Sequence, residues 1–364
     1  MPVILQFKKT FILVLLCVFI FIINTFSLYS ATTKTKPVVK KQQTVKEKAV
    51  NNSVSEEKKI SKDTIDTSKK NSNALVFMTD FGVKDGAVAA MKGVAFSIDQ
   101  SLPLFDLTHE ITPYDIWEGA NRLQQVVTFW PKGTVFVAVV DPGVGTKRKP
   151  VVLKTKSGHY FVGPNNGLFT IIFDSIGVEE MREIDETKNR LPNSYESYTF
   201  HGRDLFAYVG AMLASDKLKF ENIGDVFEVN NLVLLEYTVG RNNKGAIIGT
   251  ISALDTNYGN VWSNISKKIF DELNPEIGKK YRVKITNGDS VYFDDNIPYY
   301  QTFGAVDEGQ PLLYINSLLQ VAIALNMDSF ASTYKISYGP AWKISITPEY
   351  NSPYKSNPTP PSKK

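Results

Sequence analysis

Four stretches of the chain bring together residue types that do chemistry. TDFGVKDG, residues 79–86, sets Asp80 and Asp85 about a glycine turn, just before an apolar helical pattern. Carboxylates there suit the positive end of a helix, and they can hold a sugar diol or a cation, whereas phosphate would be repelled. Asp85 by itself serves equally well as a helix cap. VVDPGVGTKR, residues 139–148, holds Asp141 in a Pro-Gly turn with Arg148 seven residues on. A loop of that length can fold back to join guanidinium and carboxylate and keep the acid ionised; a purely structural ion pair closing a turn has the same spacing. YTFHGRD, residues 198–204, puts His201 ahead of a glycine, beside Arg203 and Asp204, where a helical pattern begins. Histidine handles protons near neutral pH, so Asp141, Arg148 and His201 together would make a polar triad able to deprotonate a water. ALDTNYGNVWSN, residues 253–264, supplies Asp255, Tyr258, Asn260 and Trp262. An asparagine amide can read the edge of an adenine while an aromatic neighbour stacks on its face, although a hairpin with core-facing aromatics has the same pattern. Ser317, in INSLLQ, adds a hydroxyl without a motif, and PNNG at 164–167 reads as a turn.

These stretches need a scaffold, and the pattern around them specifies one. From 74 to about 230, apolar runs such as ALVFMT, PLFDLT and TVFVAVV alternate with helical patterns over 86–98 and 116–128. Nearly continuous apolar strands are those buried on both faces, so the alternation predicts a mainly parallel α/β sheet. In such a sheet, ligands bind beyond the carboxyl ends of the strands, where the first three stretches are expected to fall. From 243 to 345, short strands with Gly, Asn and Asp turns predict an all-β barrel or sandwich. The α/β domain is expected over 74–235, with a junction near 228–245.

The ends of the chain differ from this body. Lys8 and Lys9 precede an unbroken apolar run from Phe11 to Ile23, the pattern of a signal peptide or N-terminal anchor over residues 1–30. Membrane association through residues 10–29 is therefore expected, and with it export or anchoring in the cell envelope. Lysines 34, 36, 40 and 41 follow the run, so an uncleaved segment would leave the body facing the cytoplasm. Residues 31–73 are Lys-, Ser- and Thr-rich without an aromatic, and 350–364 are Pro- and Lys-rich, so both are expected to be disordered. The net charge of +4 divides into +2, +6 and +3 on these three terminal segments, which leaves −7 on the body. An acidic body excludes an ordinary nucleic-acid binder. The single cysteine, Cys17, excludes a disulfide framework or a cysteine-built zinc site. Three histidines without HExxH make a histidine-built metal centre unexpected, and neither a P-loop nor GxGxxG is present.

Taken in order, TDFGVKDG, MKGVAFSI, DLTHEITPYD, FWPKGTVFVAVVDPGVGTKR, TFHGRD and DTNYGNVWSN resemble the S-adenosyl-L-methionine hydrolase family, the hydroxide adenosyltransferases related to the fluorinating and chlorinating enzymes. The resemblance runs over nearly all of 74–345. It implies an α/β domain with a seven-stranded sheet, a C-terminal β-barrel, and a homotrimer with sites between the N-terminal domain of one subunit and the C-terminal domain of its neighbour. By position, Asp80 would hold the ribose hydroxyls with Tyr114 packed nearby, and Asp85 would sit near a polar end of the substrate. Asp255 would meet the methionine amine, Tyr258 and Phe303 would flank adenine, Asn260 would read its edge, and Ser317 would meet the methionine carboxylate. Asp141, Arg148 and His201 fall on the family's water-activating triad.

The implied reaction is hydrolysis of S-adenosylmethionine to adenosine and methionine by water or hydroxide at ribose C5′. S-adenosylmethionine is then the substrate, and neither metal nor cofactor is expected. Halogenases carry other residues where Asp141 and His201 stand, and the fluorinase has a halide-binding serine at Gly202. This chain departs from the family at Asn165, where PDNG is common, and at Leu318, where the fluorinase has an arginine. Halide transfer, or non-catalytic binding of adenosine or S-adenosylmethionine in the envelope, are the alternative functions.

Overall fold

The computed structural model describes residues 73–349. The expected signal or anchor segment and the Pro-rich tail lie outside the described residues, as does all of the tether except Asn73, whose backbone N–H donates to Ala214 O at 2.9 Å. Among the described residues, no helix is long and apolar enough to cross a membrane.

The first half is built on β1 (Leu75–Thr79), β2 (Leu104–Thr108), β3 (Val135–Val139), β4 (Pro150–Thr155), β5 (Tyr160–Pro164) and β6 (Val178–Glu183), in the sheet order β2-β1-β3-β5-β4-β6. Every residue of β1 and β3 is buried, as their unbroken apolar runs require. Alternate residues feed two cores: Phe77 and Val137 face one helical layer with Phe206, while Met78 and Ala138 face the other with Phe169. Helices α1 (Ala87–Ile98), α2 (Ile116–Val126), α3 (Thr170–Ile176) and α4 (Tyr208–Ala214) cover the faces.

The sheet corrects the expectation of about seven mainly parallel strands. It has six strands and is mixed: β2, β1, β3 and β5 run parallel, whereas β4 is antiparallel to both β5 and β6. Only residues 156–159 join β4 to β5. Four residues can turn a hairpin, but a parallel neighbour needs a crossover of a dozen or more.

The second half contains β7 (Arg241–Asn243), β8 (Ala246–Leu254), β9 (Val261–Ser266), β10 (Lys280–Asn287), β11 (Ser290–Pro298), β12 (Pro311–Ile315), β13 (Gln320–Leu325) and β14 (Trp342–Pro348). They form an antiparallel sheet ordered β11-β10-β14-β8-β9-β13-β12, with β7 paired to β8. The sheet curls around a core that includes Ile251, Val261, Tyr281, Phe293 and Phe330. Its ends meet through a single bridge, Tyr299 to Leu313, with Tyr300 N donating to Leu313 O at 3.0 Å. It is a near-barrel closed by one contact rather than by a full ladder.

Polar clasps fix the two halves to each other. Trp117 Nε1 donates to Ser252 O at 3.0 Å, and Tyr338 Oη donates to Asp115 Oδ2 at 3.0 Å. Asn165 holds the segment that leads to the second half: it accepts from Val233 N at 2.8 Å and donates to Asn231 O at 3.0 Å. That last pair accounts for the departure from PDNG, because an ionised aspartate could accept from Val233 but could not donate to Asn231.

Candidate active site

The triad is assembled around Arg148, which is held in a polar and aromatic socket. Its Nε lies 3.0 Å from both Asp141 oxygens, and its Nη2 donates to Asp141 Oδ2 at 2.5 Å and to His201 Nδ1 at 2.8 Å. The guanidinium also stacks over the Phe206 ring, 5.2 Å from its centroid. The Asp141 and Arg148 side chains are 5% and 9% exposed. The loop reverses at Gly145, whose φ of +73° favours glycine. Its base is fixed by Asn166 Nδ2, which donates to Val140 O at 2.9 Å, next to Asp141.

His201 stands immediately before a π-helical turn, Gly202–Ala207, continuous with α4. Wide turns of this kind are rare and often mark functional sites. Here the turn carries Phe206 inward beneath Arg148. A guanidinium only donates, so His201 Nδ1 must accept and the imidazole is neutral with its proton on Nε2. The electrostatics agree: burial first, and then the Arg148 charge, holds His201 below the ordinary value of 6.5. Nε2 is buried and has no hydrogen-bond partner, which leaves one N–H uncommitted. Arg203 and Asp204, expected beside the histidine, instead pair with each other (Nε to Oδ1, 2.6 Å).

The β1 loop adjoins the triad. Phe81 packs edge-on against Phe200, 5.9 Å between centroids, and both rings crowd Gly202. Asp80 Oδ2 accepts from Tyr114 N at 2.9 Å, and Tyr114 adopts a left-handed φ of +69°, uncommon for an aromatic residue. The Tyr114 side chain is exposed. Asp85 accepts from Ala87 N at 2.9 Å, so it caps the start of α1.

The remaining expected residues share a face of the C-terminal half. Asp255 and Asn260 close the β8–β9 turn: Asp255 N donates to Asn260 O at 2.9 Å, and Asn260 Nδ2 lies 3.4 Å from Asp255 Oδ2. Tyr258, at the tip, is 70% exposed. Phe303 meets Tyr314 edge-on at 5.0 Å, and Tyr314 packs with Trp262. Burial pushes the Tyr314 phenol up to about 12. Ser317 is exposed on the β12–β13 turn, whose shape is set by Asn316 Oδ1 accepting from Leu318 N and Gln320 N, both at 3.0 Å. Among the described residues, no hydrogen bond joins this face to Asp80 or to the triad. No cluster of three or more His, Cys, Asp or Glu able to hold a metal occurs among them either.

Comparison with known proteins places this geometry. The SAM hydroxide adenosyltransferase N-terminal domain matches residues 75–224, and the corresponding C-terminal domain matches residues 249–343. An (R)-S-adenosyl-L-methionine hydrolase of Methanocaldococcus jannaschii is 35% identical over 60% of this chain and 75% of its own length. The chain belongs to the SAM hydroxide adenosyltransferase family. An (R)-S-adenosyl-L-methionine hydrolase of Salinispora tropica is 33% identical over 74% of the chain and 96% of its own length, and a fluorinase of Actinoplanes is 29% identical over the same shares. A crystal structure of an uncharacterized conserved protein from Thermotoga maritima superposes with a TM-score of 0.68 at 33% identity, covering 75% of this chain and 99% of that one.

In this member of the SAM hydroxide adenosyltransferase family, the sequence pointed to the three residues that the structure brings together, but not to Phe206 beneath Arg148, the π-helical turn or Tyr314 beside Phe303. Nothing in GRDLFA distinguishes a π turn from an α turn. Tyr314 sits in the apolar run LLYI as any buried strand residue would.

Proposed function

We propose that this chain hydrolyses S-adenosyl-L-methionine to adenosine and L-methionine. The observation that carries the reading is the closed Asp141–Arg148–His201 network with its one uncommitted N–H. A water between His201 and Asp141 would accept from Nε2–H, leaving a proton to give to Asp141 Oδ1, which takes only one bond from Arg148 Nε. As the oxygen closes on C5′, that proton passes to Asp141, the C5′–S bond breaks, and its electron pair neutralises the sulfonium as methionine leaves. Sulfur leaves without assistance, so the protein supplies alignment and nucleophile generation.

On this reading Asp80 holds the ribose diol with Tyr114 beside it, and Asp85 lies near a polar end of the substrate. Asp255 takes the methionine amine and Ser317 its carboxylate. Tyr258, Phe303 and Asn260 take adenine. The site is then shared between subunits of a homotrimer. The separation of the C-terminal face from the triad supports this, as does the exposure of Tyr258 and Phe303. No metal or cofactor takes part. The apolar run from Phe11 to Ile23 supports export or anchoring of the enzyme.

Halide transfer is the competing chemistry, and Gly202 argues against it. A Cβ there would lie 3.1 Å from Phe81 Cε2 and 3.3 Å from Phe200 Cε2, so a halide-binding serine would be cramped. The test is product analysis by liquid chromatography and mass detection, with and without chloride. Adenosine and methionine in equal amounts, independent of chloride, are expected. A 5′-chloro nucleoside would overturn the reading, and binding without turnover would leave a sensor.

A further inference from the structure

His109 lies outside the triad, yet a chain of hydrogen bonds runs through it to the loop that carries Asp80. It is 4% exposed. Its Nδ1 is 2.8 Å from Thr79 Oγ1, and its Nε2 is 3.0 Å from Asp106 Oδ1. Lys92 Nζ donates to the other Asp106 oxygen at 2.5 Å. Burial acts to raise the Asp106 carboxyl, but the bonds from Lys92 and His109 outweigh it and leave the group below its ordinary value. An ionised Asp106 only accepts, so Nε2 donates to it, and Nδ1 shares the second hydrogen bond with the Thr79 hydroxyl. The Thr79 oxygen in turn accepts from Phe81 N at 3.2 Å, and Gly82 N donates to His109 O at 2.7 Å.

Residues 79, 81 and 82 are thus all tied to one histidine, and residue 80 is the one that points away, toward Tyr114. A ring needed only for packing would be cheaper as phenylalanine, because a buried nitrogen is costly unless it is bonded. Both nitrogens of His109 are bonded, and the bonds lead to the Asp80 loop.

We propose that His109 is a positioning residue: through Thr79 it sets the backbone on either side of Asp80, and so aims that carboxylate at the two hydroxyls of the substrate ribose. The proposal rests on the reading that Asp80 binds the ribose. His109 makes no hydrogen bond to Asp141, Arg148 or His201, so its effect falls on substrate binding rather than on the chemical step.

The test is a double-mutant cycle on the full chain with S-adenosyl-L-methionine, reading KM and kcat separately. Thr79→Val keeps the shape of a fully buried strand residue and removes only the hydroxyl; His109→Phe removes both nitrogens. Each is expected to raise KM about tenfold, the loss of one or two hydrogen bonds, with kcat unchanged. Thr79→Val added to Asp80→Ala is expected to raise KM no further than Asp80→Ala does alone, because the aimed group is already gone. If His109→Phe does not fold, Thr79→Val carries the test by itself. A silent Thr79→Val, or effects that multiply in the double variant, would overturn the role of His109 while leaving the ribose reading intact. An unchanged KM in Asp80→Ala would overturn the ribose reading and the proposal with it.

Discussion

The chemical end and the recognition end of this molecule are prepared to different degrees. Around Arg148 the side chains are buried, bonded in fixed directions and backed by Phe206. On the C-terminal face Tyr258 is 70% exposed and Phe303 is 44% exposed, and Asn260 reaches Asp255 only at 3.4 Å. The group proposed to handle the nucleophile is complete within one chain, whereas the groups proposed to grip adenine stand open. The difference matches the demands of the two tasks. A proton must be placed to within tenths of an ångström before reaction, but an aromatic wall can wait for its ligand or a neighbouring subunit to cover it.

The sharpest way to break the contrast is at Asp141. Asp141→Asn keeps an oxygen for Arg148 and loses the ability to take the water's proton. Turnover is expected to fall about 10²–10⁴-fold while KM stays near its starting value, as steady-state kinetics would show. A rise in KM with kcat preserved would move Asp141 from the chemical end to the recognition end.

A second test uses pH. His201 must be neutral for Nδ1 to accept from Arg148, and burial followed by the Arg148 charge holds it below 6.5. The kcat/KM profile is therefore expected to run flat through pH 6.5 and to break at lower pH, losing about tenfold per unit beyond the break. Stability follows the same sign. Below pH 6.5 the unfolded chain takes up the proton before the folded one does, so stability declines as pH falls through the folded value. A break at or above 6.5 would mean that burial and Arg148 do not depress His201, and activity lost as pH rises through 6.5 would mean that the charged imidazole is the working form.

The smallest expected effects lie on the open face. Tyr258→Ala and Phe303→Ala are each expected to raise KM about three- to tenfold, the worth of an aromatic contact, with kcat intact. If either lowers kcat as far as Asp141→Asn does, the two ends are not separable.

Much of this was legible beforehand for a physical reason. Asp141 and Arg148 are seven residues apart, with two glycines between them, so a local turn suffices to pair them. Strands β1 and β3 announced themselves because burial on both faces demands apolar residues at every position. The mixed sheet was harder to read. Strand β4 is just as apolar as a parallel strand, and its direction depends on the four-residue link to β5. The role of Asn165 was hidden as well, because an amide that clasps residues 231 and 233 looks locally like any turn asparagine.

The sequence alone determined which chemistry is available: a carboxylate, a guanidinium and an imidazole on loops at the ends of apolar strands, and aromatic and amide groups on β turns. Those facts depend on residue type and short-range spacing. Tertiary structure alone decided which nitrogen of His201 carries the proton, because that follows from Arg148 donating to Nδ1 across 53 positions of chain. It also decided that Phe206 lies under the guanidinium and that His109 reaches Thr79 from just beyond the end of β2. A hydrogen bond is set by distance and direction in space, and no local pattern carries either across a fold.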